Sequence, residues 1–136
     1  MRIGKMRKDK EKQENVVKKR VWEYDPQIYP QKLWIGLGAT KEDLADFEDI
    51  AEMGDSTIAD TTPIRKLKPK KLGGVLIRFR NRLDMSFENV THESVHAAMC
   101  MLDYCGVKFQ GDNQEPIAYL AGWVADCIDK VKRGKV

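Results

Sequence analysis

Histidine is the scarcest chemically versatile side chain here, with two in 136 residues. Cysteine is nearly as rare: Cys100, Cys105 and Cys127. An odd count cannot close a full disulfide framework, so reduced thiols packed as small apolar groups are expected. No apolar run approaches the roughly 20 residues that span a bilayer, and no internal repeat is visible. The first residues are charged and lack the apolar core of a secretory leader, so a soluble, cytoplasmic protein without membrane contact is expected. The length suits one domain with a modest core.

Charge is unevenly spread. Residues 1–20 carry nine Lys or Arg against three acids, while the whole chain is only +3. Such a basic tail, read as flexible, can touch nucleic acid or another anionic partner. A second basic cluster, Arg65, Lys66, Lys68, Lys70 and Lys71, adds to that reading. Residues 21–136 form the expected domain.

Its pattern alternates between short β signals and helical ones. Lys32–Leu37 reads as a strand, and short strands fit 56–59 and 63–67. Thr40 suits the N-cap of a helix over 41–53, where Leu44, Phe47, Ile50 and Ala51 recur at helical spacing. Residues 75–80 alternate apolar and basic after Leu76, which predicts a strand with one buried and one wet face. A turn follows at 82–85. Ser86 can cap a helix over 87–104, with Gly106 as its stop. Asn113 can cap a last helix over 114–132, whose first turn tolerates Pro116. The fold class is therefore α+β, with a short, partly antiparallel sheet beside two or three helices.

Both histidines fall in the helix over 87–104, as His92-Glu93-Ser94-Val95-His96. Residues four apart share a helix face, so both imidazoles can reach one zinc ion while Glu93 lies near a metal-bound water. With no further histidine, the third ligand must be an acid or a cysteine. Glu115 in the next helix's first turn is the first choice, Asp112 the second, and Cys100 an awkward third. Asp126 could support the ligands from outside. Tyr104 and Tyr119 qualify by type as donors to a developing oxyanion. A strand beside the site, such as 75–80, could pair with an extended peptide, and Arg78 and Arg80 would then lie near the cleft or on the wet face.

The strand, the H-E-x-x-H helix and the later glutamate together resemble the zincin metallopeptidases of the glutamate-ligand branch, the gluzincins. His92, Glu93, His96 and Glu115 carry that resemblance, over residues 73–130. The stretch from His92 to Trp123 is also similar to small proteins encoded in phage and prophage genomes. The resemblance implies a zincin-like fold, a bound zinc, and peptide or protein substrates cleaved by zinc-activated water with Glu93 as general base. Tyr119 stands where the thermolysin-like pattern places an aspartate, so the support of the first histidine must differ. Met99 and Leu102 occupy the downstream positions at which a metzincin would show its extended motif. Two rival expectations are a non-catalytic zincin-like interaction module, such as a phage or host helper protein, and a nucleic-acid-binding accessory protein.

Overall fold

The computed structural model describes residues 18–65, 67 and 73–136. The basic tail through residue 17, and most of the basic cluster at 65–71, lie outside the described residues. The α+β expectation holds: a four-stranded mixed sheet is packed against two helices. The strands are β1 (Val21–Tyr24), β2 (Lys32–Leu37), β3 (Ala59–Ile64) and β4 (Gly74–Phe79), in the order β1-β2-β4-β3. β1 runs antiparallel to β2, β2 parallel to β4, and β3 antiparallel to β4. A 3-10 turn, Arg82–Asp84, leads into α1 (Phe87–Tyr104), and α2 (Glu115–Arg133) follows. No described helix is long and apolar enough to cross a membrane.

α1 forms where its cap and apolar stripe predict, and α2 where its apolar stripe does. Ser86 Oγ accepts the Asn89 N–H at the start of α1, satisfying one otherwise orphaned donor. Gly106, at φ 74°, takes the left-handed turn just beyond its end, as glycine readily does. At α2 the N-cap is Gln114 rather than Asn113, and it makes no side-chain capping bond. Ala97, Ala98, Met101 and Leu102 of α1, with Leu120, Val124, Ile128 and Val131 of α2, face Leu33, Ile35, Val75, Ile77 and Phe79 of the sheet.

The sheet's opposite face is buried as well. Trp34, Leu76, Ile64 and Leu67 cluster there beneath Leu44, Phe47 and Ile50. This corrects the expectation for the strand at 75–80. β4 lies between β2 and β3, all six of its residues are buried, and it has neither a wet face nor an open edge. Arg78 is buried because Asp60 binds it with two oxygens and Ala51 O accepts a third bond. Arg80 reaches the carbonyls of Gly54 and Thr57.

The helix expected at 41–53 is absent; residues 41–46 form turns. Thr40 and Asp43 do exchange the bonds of a helix start: Thr40 N–H donates to Asp43 Oδ2, and Asp43 N–H to Thr40 Oγ1. The first of these bonds does most to hold the Asp43 carboxyl below its ordinary range. The chain then leaves the helical path, since Phe47 bridges to Leu67 and Asp49 adopts φ 60°. Leu44, Phe47 and Ile50 bury themselves as an irregular cover instead. In place of two short strands, 56–67 supplies one, β3. β1 is an addition, paired with β2.

Candidate metal centre

α1 displays His92 and His96 on its exposed face, with their Nε2 atoms 3.1 Å apart and their rings at 70°. Two imidazole nitrogens on one zinc, each about 2.0–2.1 Å from it in a tetrahedral set, stand about 3.3 Å apart. The pair therefore fits a shared ion closely. Without a metal, one Nε2 must donate a proton to the other, which requires different tautomers on the two rings.

Glu93 follows His92 about 100° around the helix, on the flank towards β3. It is 7% exposed, in the seam between α1 and β3, and its Oε2 accepts a 2.5 Å hydrogen bond from Thr61 Oγ1. Thr61 also lies 3.4 Å from the Glu93 main-chain oxygen. One turn of α1 thus offers two convergent nitrogens and, beside them, a carboxylate anchored through one oxygen.

β3 provides the wall of this site. Arg80 N–H donates to Ile58 O at 2.9 Å, which makes Ile58 and Arg80 a hydrogen-bonded pair in the antiparallel register. Such pairs alternate along the ladder, so Asp60, Thr62 and Ile64 bond to β4. Ala59, Thr61 and Pro63 turn their main-chain groups to the other side, where no described strand lies. Pro63 has no N–H to offer there, a common way to blunt an open edge.

Glu115 is not brought to the histidines. It is exposed at the first position of α2 and lines a cavity of about 460 Å³ with Pro26, Ile28, Tyr29, Tyr119 and Trp123. The reason is the register of the helix pair. Ile117 shares a cavity of about 410 Å³ with Met99, Cys100, Leu102 and Asp103, so the start of α2 is level with the last turns of α1. His96 lies roughly 5–10 Å back along the α1 axis from those residues, at 1.5 Å per residue. Among the described residues, no group of three or more His, Cys, Asp or Glu is placed to hold one ion.

The other candidates are dispersed. Asp112 is exposed in the loop before α2, and Asp126 is exposed and pairs with Lys130 at 3.5 Å. Cys100 is half-buried, and burial, then Asp103, raises its thiol pKa. Tyr104 and Tyr119 are exposed, and Tyr119 lines the same cavity as Glu115. Thr61 escapes sequence reasoning, although Pro63 within a β-branched run was a signal for an edge strand there. No protein-family model, curated protein or solved structure matches the chain.

Proposed function

We propose that this chain is a cytoplasmic zinc-dependent hydrolase of peptide bonds. The observation that carries the reading is the pair of Nε2 atoms at zinc-sharing distance, one residue from an anchored, buried carboxylate. A zinc ion supplies Lewis acidity and lowers the pKa of a bound water to about 7. His92 and His96 would hold it through Nε2, with Glu115 as the candidate third donor. That role requires Glu115 to leave its place at the head of α2. Glu93 would serve as the base for the attacking water through Oε1, since Oε2 is committed to Thr61, and would pass that proton to the leaving amine. An extended peptide can lie along the outward main chain of Ala59 and Thr61, which recognises no particular side chain.

A non-catalytic module that keeps this frame is the second reading, favoured by the absence of a gathered third donor among the described residues. Metal content and turnover separate the two. Protein purified without chelators should carry one zinc per chain by mass spectrometry, and His96→Ala should carry none. Glu93→Gln should keep its zinc while cleavage of a mixed peptide library falls by about 10²–10⁴-fold, the range of general-base catalysis. Glu115→Ala should lose zinc if Glu115 is the third donor. Zinc-free wild type after reconstitution would end the metal reading. Undiminished cleavage by Glu93→Gln would end the general-base role.

A further inference from the structure

Thr61 faces two ways. Its main-chain N–H and C=O point to the open side of β3, by the alternation that the Arg80–Ile58 bond fixes. Its hydroxyl points to α1 and donates to Glu93 Oε2 at 2.5 Å. We propose that Thr61 is a positioning residue for Glu93, tying the general base to the strand along which a peptide would lie. This rests on the hydrolase reading above.

The argument is geometric. A glutamate has three side-chain torsions, and a base free to swing spends much of its time away from the attacking water. The bond from Thr61 fixes one carboxylate oxygen and leaves Oε1 for the proton. The donor sits on a β-branched residue with few rotamers, in a strand whose other edge is locked to β4. Preorganisation of this kind acts on the chemical step. Binding should be little affected, because a change of side chain at 61 leaves the outward N–H and C=O in place.

The test compares Thr61→Val, which keeps shape and strand preference but removes the hydroxyl, with Thr61→Ser, which restores it. With zinc loaded and a library-derived peptide as substrate, Thr61→Val should lose about ten- to hundredfold in kcat, the scale of a hydrogen bond to a charged group. KM should stay within about twofold, an estimate that follows from unchanged main-chain pairing. Thr61→Ser should recover most of kcat, and all three proteins should hold equal zinc. A contact that merely fastened strand to helix would lower the melting temperature without this split. Independently of activity, proton NMR should show a slowly exchanging hydroxyl resonance from residue 61 in wild type and Thr61→Ser. The signal should vanish in Thr61→Val and move in Glu93→Gln. Equal kcat for wild type and Thr61→Val, or no protected hydroxyl, overturns the proposal alone. A wild type that holds zinc and cleaves no peptide overturns the hydrolase reading, and the positioning role with it.

Discussion

Cys127 and Cys105 carry the same side chain in opposite surroundings. Cys127 is 1% exposed on the core face of α2, whereas Cys105 is exposed at the end of α1. The expectation of core thiols thus holds for Cys127 and fails for Cys105, because the last turn of α1 leaves the core. Burial pushes the Cys127 thiol from an ordinary value of 9.0 to about 11. Between those values the folded chain keeps a proton that the unfolded chain has released. The associated stability is therefore fully present below about pH 9 and is lost as pH rises towards 11. Denaturant midpoints measured from pH 8 to 11 should fall for wild type and fall less for Cys127→Ala. In the native protein at pH 8, a thiol reagent should modify Cys105 well before Cys127. Equal labelling of the two would show that the α2 face opens readily. The histidine pair is the residue-scale feature most legible in sequence, since four-residue spacing on a helix suffices to bring two rings together. The Thr61–Glu93 bond was not legible, because it joins residues 32 apart through a strand whose place at the sheet edge only the tertiary fold decides.

At the scale of elements, two glycines set how the sheet closes. Gly73 and Gly74 bring the chain into β4 between β2 and β3. A Cβ at Gly74 would meet Lys32 O at 1.9 Å, and one at Gly73 would meet Ile64 O at 2.4 Å. Both obstacles are backbone and cannot rotate away. Gly74→Ala should cost about 3 kcal/mol, the upper range for overpacking, while Gly122→Ala, with open space around it, should cost nothing and can gain helix propensity. Urea unfolding of both variants checks this; a stable Gly74→Ala would mean that β2 and β4 can separate without loss. The strand at 32–37 and the helix at 87–104 were legible to the residue, because a continuous β-favouring run and a capped amphipathic stripe each point to one element. The segment 41–53 was not. Its apolar spacing fits a helix, but the same residues serve a two-sided sheet that needed a cover over Trp34 and Leu76. Tertiary burial overrode local propensity. The helix pair shows the same limit. Its two spans could be read from periodicity, yet their relative register, which puts Glu115 level with Met99–Asp103, is set by packing around Ile117.

Across the whole molecule, the two faces of the sheet are covered by unequal means. Two long helices close one face, and an irregular segment closes the other, fastened by Arg78 of β4 and by Arg80 just beyond it. Arg78 is central to that fastening: it binds Asp60 through Nε and Nη2 and holds Ala51 O through Nη1. Removing the cation would leave Asp60 charged, half-buried and unpaired, and would free the carbonyl of Ala51. Breaking a fully buried pair costs about 3–5 kcal/mol. Since the Asp60 side chain retains 27% exposure, about 2–3 kcal/mol is expected for Arg78→Met. The double variant Arg78→Met/Asp60→Leu leaves no stranded charge, and should recover most of that loss. Loss of the cover should precede loss of the core, so hydrogen exchange in Arg78→Met should accelerate across 44–57 before it does in α1 or α2. A double variant no better than the single one would show that Arg78 acts through packing and its bond to Ala51, with its charge irrelevant. Uniform acceleration across all elements would show that the two layers unfold as one unit. The distinction bears on the candidate site, because the segment Arg78 fastens runs directly into β3, the strand that carries Thr61 to Glu93.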